Sequence, residues 1–163
     1  MIVILEGPDG SGKTTLCNNL VAKGYKHISN LPREWPEQYD IYEYLFLKLI
    51  KNYNNVVIDR SFISEIVYRI VKQDNKANIN LCQILKLLKE FPIKIIYCKS
   101  DTAFQDALSR GETYITTTAE HKYLTFVYDV IIDLIRQFTD VPVIDYNWKT
   151  DKISSLLKEL QNG

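Results

Sequence analysis

The feature that most constrains this chain is a glycine-rich segment near its start, Gly-Pro-Asp-Gly-Ser-Gly-Lys-Thr at residues 7–14. It fits the pattern GxxxxGK[ST] in full, directly after an apolar run at residues 1–6 and directly before a predicted helix at 13–22. Glycines let the backbone curl with its N–H groups pointing inward, and the start of a helix adds the positive end of a dipole. A strand, such a loop and a helix in succession predict a P-loop, which binds the phosphates of a nucleoside triphosphate.

Individual residues of this loop have predicted roles. Lys13 is expected to reach the β- and γ-phosphates, the Thr14 hydroxyl to ligate Mg²⁺, and Thr15 to contact the α-phosphate. The sequence therefore predicts Mg²⁺ as cofactor and a nucleoside triphosphate as ligand, a combination that GTPases, motor ATPases and small-molecule kinases share. The predicted triphosphate-binding residues are Gly7, Pro8, Asp9, Gly10, Ser11, Gly12, Lys13, Thr14 and Thr15.

Five short, β-branched apolar runs alternate with segments of helical spacing. The predicted strands are residues 1–6, 25–29, 56–59, 94–98 and 141–146, and the predicted helices are 13–22, 37–52, 61–73, 81–90, 102–109, 122–138 and 153–160. This alternation predicts the α/β class, a three-layer sandwich with a five-stranded parallel sheet covered on both faces. We expect the P-loop NTPase strand order 2-3-1-4-5 in a single domain of residues 1–163. Residues 110–121 lack periodicity and are predicted to form a small mobile lid.

Composition excludes several functional classes. The 163 residues suffice for one domain, and 20 basic residues balance 20 acidic ones, so no overall field favours nucleic acid or a membrane. No apolar run reaches the roughly 18–20 residues that span a bilayer. The apolar start continues into the P-loop and is not expected to be a signal or transit peptide. Cys17, Cys82 and Cys98 lie in apolar patterns and are predicted to be buried free thiols, which fits a cytoplasmic protein.

A second motif, DRSFISE at residues 59–65, follows the third predicted strand. Asp59 is suited either to hold Mg²⁺ through water or to accept a proton from a hydroxyl, and Arg60 can clamp a phosphate with two hydrogen bonds. A helix cap followed by a surface arginine is the alternative interpretation. Because ligands bind at the carboxyl ends of parallel strands, we expect this motif and the P-loop to share one edge of the sheet. The chain lacks the guanine-reading motif NKxD of a GTPase.

The segments ILEGPDGSGKTTL and VVIDRSFISEIVY resemble the thymidylate kinases and, more loosely, the deoxynucleoside kinases. The resemblance implies phosphoryl transfer from Mg-ATP to a pyrimidine deoxynucleoside monophosphate similar to dTMP or dUMP. It also implies a homodimer. The chain is shorter than typical thymidylate kinases, which suggests a compact version from a phage or prophage.

The resemblance also implies roles for single residues. Asp9 stands where thymidylate kinases have an acid facing the acceptor sugar, and Gly10 where some members have a catalytic arginine. Arg110, in SRGETYI, is the expected substitute, closing from the lid on the transferring phosphoryl group. Arg33, in REWP, resembles the arginine that approaches the acceptor phosphate. The implied catalytic residues are Lys13, Asp59, Arg60 and Arg110.

Acceptor recognition is expected to involve aromatic and polar side chains of two helices. Tyr42 and Phe46 lie one helical turn apart, and either is a candidate platform for the acceptor base. Ser64 and Tyr68, spaced i, i+4, are candidates to face the base or sugar. Residues 147–150 follow the last predicted strand, where similar kinases hold adenine. The predicted acceptor-binding residues are Asp9, Arg33, Tyr42, Phe46, Arg60, Ser64 and Tyr68.

Two other functions stay open at this level. One is a kinase of a hydroxyl acceptor, either a free deoxynucleoside or hydroxymethyluracil in phage DNA, with Asp59 as the base. Nucleic acid is a partner only under this alternative. The other is a non-catalytic regulatory protein that binds a nucleotide.

Overall fold

The computed structural model describes residues 1–29, 54–73, 81–112 and 114–161. Its strands are β1 (Ile2–Glu6), β2 (Lys26–Ser29), β3 (Val56–Asp59), β4 (Ile93–Cys98) and β5 (Val143–Tyr146). Its helices are α1 (Lys13–Val21), α2 (Phe62–Lys72), α3 (Leu81–Glu90), α4 (Ala103–Ser109), α5 (Thr118–Phe138) and α6 (Ile153–Gln161). The helix predicted at residues 37–52 lies outside the described residues. No helix in the described ranges is long and apolar enough to cross a membrane.

The sheet has five parallel strands in the order β2-β3-β1-β4-β5, which confirms the predicted topology. Every residue of β1 and β4 is buried, as expected for central strands of a sheet covered on both faces. In the register of the sheet, Leu5 of β1 lies beside Asp59 of β3, and Glu6 lies beside Tyr97 of β4. The carboxyl ends of these three strands therefore meet at one edge, from which the loops that carry the motifs emerge.

Two hydrophobic clusters lie on opposite faces of the sheet and make it the middle of three layers. Alternate residues of a strand point to opposite faces. Accordingly, Ile2 and Ile4 of β1 belong to the cluster formed with α2 and α5. Val3 and Leu5 belong to the cluster formed with α1 and α6. The predicted three-layer sandwich is thus confirmed. Cys17 and Cys98 are buried free thiols in the second cluster, as predicted, whereas the side chain of Cys82 lies outside the described part.

Helix α5 begins at Thr118, so the predicted start at residue 122 is wrong and the stretch without regular structure is shorter than expected. The Thr117 hydroxyl caps the helix by accepting a hydrogen bond of 3.1 Å from the Glu120 backbone N–H. Threonine followed three residues later by glutamate is a known signal for a helix start. The first turn of α5 carries few apolar residues, and a prediction that relied on hydrophobic periodicity placed the boundary one turn too late.

A pair of glycines provides a test of how tightly α4 packs against the P-loop. Gly10 and Gly24 both have positive φ, +80° and +93°. A Cβ atom at Gly10 would lie 1.9 Å from the Ala103 carbonyl oxygen. A Cβ atom at Gly24 would have no neighbouring atom within 4 Å. We expect Gly24→Ala to lower the free energy of unfolding by about 1–2 kcal/mol through backbone strain. Gly10→Ala should cost roughly 1–3 kcal/mol more, because the crowding is added.

Urea unfolding of the two variants measures this difference. If both variants lost the same free energy of unfolding, α4 would have to move away from the P-loop without cost.

Candidate active site

The P-loop connects the buried strand β1 to helix α1, and Lys13 is the first residue of that helix. The Lys13 side chain is buried and turns back on the loop. Its ammonium donates hydrogen bonds to the carbonyl oxygens of Gly7, at 2.7 Å, and Pro8, at 2.6 Å. Burial lowers the pKa of Lys13, while nearby acidic groups, including Asp59 and Glu6, act in the opposite direction. The ammonium is thus held in place by the loop that is predicted to bind phosphate.

The predicted catalytic residues are brought together around one cavity of about 70 Å³. Its lining residues are Asp9, Gly10, Ser11, Gly12, Lys13, Thr14, Thr15, Asp59, Arg60, Arg110 and Glu112. Seven of these belong to the predicted ATP-binding loop, and all four implied catalytic residues are present. The expectation that the two motifs share one edge of the sheet therefore agrees with the structure.

Asp59 ends β3 and lines this cavity. Its Oδ1 is buried and has no hydrogen-bond partner among the described residues. Burial raises the pKa of Asp59, although the positive charges of Lys13 and His27 oppose the change. Thr14 is exposed on the same cavity. Carboxylate and hydroxyl oxygens are ligands that suit Mg²⁺, so Asp59 and Thr14, which line the same cavity, fit the ion that the sequence predicts.

Asp9, Arg60 and Tyr68 form one cluster at the acceptor side predicted from the sequence. Arg60 pairs with the Asp9 carboxylate, and the Tyr68 hydroxyl donates a hydrogen bond of 3.0 Å to Asp9 Oδ2. The Arg60 guanidinium carbon lies 5.4 Å from the centre of the Tyr68 ring. Arg60 has a φ of +65°, which is uncommon for a residue with a side chain. This backbone conformation occurs at the turn from β3 into α2, next to the P-loop acid.

Arg110 lies at the C-terminal end of α4 and lines the cavity. Its guanidinium forms an ion pair of 3.0 Å with Glu112, and about half of the side chain is exposed. Glu112 was not among the predicted site residues. Its Oε2 is buried without a hydrogen-bond partner in the described structure. The only sign of Glu112 in the sequence was that an acidic residue follows Arg110 at a distance of two positions.

Glu6 is a second residue that the sequence did not single out. The carboxylate is fully buried, and Oε1 accepts hydrogen bonds from the Ser61 backbone N–H, at 2.8 Å, and the Ser61 hydroxyl, at 2.6 Å. The Ser64 hydroxyl donates to Oε2 and shares a hydrogen bond of 2.9 Å with the Tyr128 hydroxyl. Burial raises the pKa of Glu6. An acid at the end of an otherwise apolar buried strand was the available signal.

Ser64, predicted to bind the acceptor, is thus buried against Glu6 and does not line the cavity. Three other predicted acceptor residues, Arg33, Tyr42 and Phe46, lie outside the described residues.

The loop after β5 contacts the P-loop directly. The Trp148 ring lies so close to Gly12 that a Cβ atom there would be 2.5 Å from Trp148 Cγ. Lys149 is 5.0 Å from the Trp148 ring centre and forms an ion pair of 3.0 Å with Asp106 of α4. The segment that the resemblance assigns to adenine therefore abuts the phosphate loop.

Comparison with solved structures finds this fold in other proteins. YorR from Bacillus subtilis, in complex with phosphorylated GDP, has a TM-score of 0.73 at 19% identity, over 99% of this chain and 94% of that one. Deoxyadenosine kinase from M. mycoides, with dCMP and a flexible dCDP bound, has a TM-score of 0.67 at 18% identity, over 100% of both chains. Thymidylate kinase from Candida albicans has a TM-score of 0.60 at 18% identity, over 99% of this chain and 89% of that one.

No protein-family model and no curated protein matches the sequence. The structural likenesses, at these identities, show that the chain has the α/β fold of these proteins.

The buried Glu6 leads to a test by pH. Because its pKa is raised above the ordinary 4.5, the folded protein binds a proton at Glu6 more tightly than the unfolded chain does. The stability that Glu6 contributes is fully present at pH values below its pKa in the unfolded chain. This stability is lost as the pH rises through the pKa that Glu6 has in the folded protein. Relative to Glu6→Gln, which cannot ionise, the wild type should therefore lose free energy of unfolding as the pH rises from 4 to 8.

Chemical unfolding across this range, with the exposed Glu159→Gln as control, measures the difference. A constant offset between wild type and Glu6→Gln would contradict the assignment.

Proposed function

We propose that this protein transfers a phosphoryl group from Mg-ATP to a deoxynucleoside monophosphate, with a pyrimidine acceptor similar to dTMP or dUMP. The observation that carries the proposal is the single cavity where the P-loop meets Asp59, Arg60 and Arg110. The Asp9–Arg60–Tyr68 cluster lies beside the phosphate loop, where an acceptor would approach. Proteins of the same fold include a thymidylate kinase, whose acceptor is a nucleotide and which supports this proposal. They also include a deoxyadenosine kinase with dCMP and dCDP bound, whose name indicates a deoxynucleoside acceptor.

In this reaction an oxygen of the acceptor phosphate forms a bond to the γ-phosphorus of ATP. The bond from that phosphorus to the oxygen bridging the β- and γ-phosphates breaks, and ADP leaves with the electron pair. The acceptor phosphate is already ionised, so no general base is required. Catalysis then rests on positioning and on stabilisation of negative charge.

Several residues of the cavity have a place in such a transfer. Lys13 and the P-loop N–H groups bind the donor phosphates, and Arg60 holds the acceptor phosphate. Arg110 neutralises charge that spreads over the transferring group. Asp9 hydrogen-bonds the acceptor sugar. Since Arg60 pairs with Asp9 in the described structure, an arriving phosphate would compete with that carboxylate for the guanidinium.

Thr14 and Asp59 would hold Mg²⁺, which when bound neutralises charge on the β- and γ-phosphate oxygens. Among the described residues, no group of three or more His, Cys, Asp or Glu side chains is arranged to hold a metal. Two protein groups combined with substrate phosphates is the usual arrangement for Mg²⁺ in kinases.

One observation favours a second candidate function, transfer to a hydroxyl acceptor such as a deoxynucleoside. Burial raises the pKa of Asp59, and its Oδ1 has no hydrogen-bond partner in the described part of the chain. Both properties suit a general base that removes the hydroxyl proton. A DNA substrate is the less favoured form of this candidate, because the chain has no net positive charge.

An acceptor panel tests the proposal. ATP turnover is measured with dTMP, dUMP, dCMP and thymidine, for the wild type and for Lys13→Met. We expect a monophosphate to stimulate turnover, and Lys13→Met to lower kcat by about 10²–10³-fold, since it removes a preorganised charge at the phosphates. Lys23→Met, at an exposed position after α1, is the control and should match the wild type.

Turnover with thymidine alone would replace the proposal by the hydroxyl-acceptor candidate. ATP binding without turnover on any acceptor would favour a non-catalytic nucleotide-binding protein.

Asp59→Asn separates the two kinase candidates by a different route. If Asp59 helps to hold Mg²⁺, the variant should lose roughly tenfold to a hundredfold in activity. Raising the Mg²⁺ concentration should then recover much of the loss. If Asp59 is the general base, added Mg²⁺ cannot replace it. Initial rates across a Mg²⁺ titration measure this, and a loss that is unchanged at every concentration would exclude the Mg²⁺-holding role.

A further inference from the structure

Residues 114–117, which we call the Tyr114 segment, are tied to two helices. Lys72, the last residue of α2, forms an ion pair with Glu120 Oε1 in the first turn of α5. The other carboxylate oxygen of Glu120 accepts a hydrogen bond of 3.0 Å from the Thr116 backbone N–H. The Lys72 ammonium also lies 4.9 Å from the centre of the Tyr114 ring. One ion pair thus holds the segment at its backbone and at its aromatic side chain.

The Tyr114 segment connects this ion pair to the Asp9–Arg60–Tyr68 cluster. The Tyr114 ring packs against Tyr68, with ring centres 5.3 Å apart and planes at 53°. Tyr68 in turn donates its hydroxyl hydrogen bond to Asp9. Tyr114 is 56% exposed, so little apolar burial holds it in place. Its position against Tyr68 depends on the few contacts it makes, and Lys72 is one of them.

The Lys72–Glu120 ion pair is less exposed to water than most surface ion pairs, which makes it better able to hold the segment. The side chains of Lys72 and Glu120 are about three-quarters covered, with exposures of 28% and 23%. Hydrogen bonds from Lys72 and from the Thr116 backbone hold the pKa of Glu120 below its ordinary value. The two residues are 48 positions apart in sequence, so their contact joins two helices and not two turns of one helix.

We propose that Lys72 and Glu120 are positioning residues for acceptor binding: their ion pair holds the Tyr114 segment against Tyr68, beside Asp9 and Arg60. The proposal rests on the proposed function, because it takes the Asp9–Arg60–Tyr68 cluster as the acceptor site. When the pair is broken, the fraction of molecules with Tyr114 in place falls, and the apparent affinity for the acceptor falls with it. The donor phosphates, bound by the P-loop, are outside this effect.

A purely structural role, fastening α2 to α5, makes a different prediction. It would lower the stability of the fold without changing the balance between acceptor and donor binding. The KM of the acceptor, compared with the KM of ATP and with kcat, therefore distinguishes the two roles.

The kinetic test uses Lys72→Met, Glu120→Gln and the exchanged pair Lys72→Glu/Glu120→Lys. Each single variant should raise the KM of the acceptor, dTMP or whichever monophosphate is used, by roughly fivefold or more. The KM of ATP and kcat should change little. The exchanged pair should recover part of the loss, because the ion pair returns but the ammonium introduced at position 120 cannot accept the Thr116 hydrogen bond.

Arg136→Met is the matched control. Arg136 also lies on α5 in an ion-paired cluster, with Asp133 at 3.2 Å and Asp145 at 3.0 Å. It is 16 residues beyond Glu120, or about 24 Å along the helix. An equal rise in acceptor KM in Arg136→Met, or no rise in either Lys72→Met or Glu120→Gln, would overturn the proposal.

Hydrogen exchange of the Thr116 amide, followed by NMR, keeps this inference separate from the proposed function. The amide should be protected in the wild type and in Arg136→Met, and should exchange faster in Lys72→Met and Glu120→Gln. If the wild type transfers phosphate to no acceptor, the proposed function fails, and the exchange result alone decides whether the pair holds the segment. Unchanged protection in both single variants would show that it does not.

Discussion

The buried carboxylate of Glu6 links the two motifs of the site. It lies at the last position of β1, one residue before the P-loop, and accepts hydrogen bonds from the start of α2 at Ser61 and Ser64. A buried carboxylate is costly unless such donors satisfy it. The bonds hold Ser61 in place directly after Arg60, whose φ of +65° would be unfavourable in a free chain. Glu6 therefore fastens the strand that leads into the P-loop to the start of α2, directly after Arg60.

The three cationic residues of the cavity are each paired within the protein. Lys13 donates to carbonyl oxygens of its own loop, Arg60 pairs with Asp9, and Arg110 pairs with Glu112. Such pairing lets positive charge converge on one small cavity without strong mutual repulsion. If a phosphate bound in the cavity, these cations would exchange their partners within the protein for phosphate oxygens. The free energy lost with each internal contact would then offset part of the free energy gained from the new one.

The packing of α4 explains a departure from the resemblance. Some thymidylate kinases carry a catalytic arginine at the position of Gly10, but here a Cβ atom would meet the Ala103 carbonyl oxygen at 1.9 Å. The close approach of α4 thus excludes any side chain from the P-loop at this point. The same helix ends at Arg110, which faces the cavity. One helix thus leaves no room for a side chain at Gly10 and places Arg110 at the cavity, where its role as the substitute arginine is a proposal.

The sequence by itself determined the α/β class, the strand order and the P-loop. It also determined that Asp59 and Arg60 lie at the same edge of the sheet as the P-loop. These features have local signals: contiguous motifs, buried apolar runs, and a rule that places strand ends together. It missed the contacts of Glu6 with Ser64, of Arg110 with Glu112 and of Lys72 with Glu120, and it placed Ser64 in the acceptor site. A homodimer and a phage origin stay predictions, as do the roles of the individual site residues, Arg33, Tyr42 and Phe46 among them. Only the tertiary structure decided which charged and polar side chains meet. Their pairing depends on how helices that are far apart in the sequence dock on the sheet, and local sequence patterns carry no information about the distance between such helices.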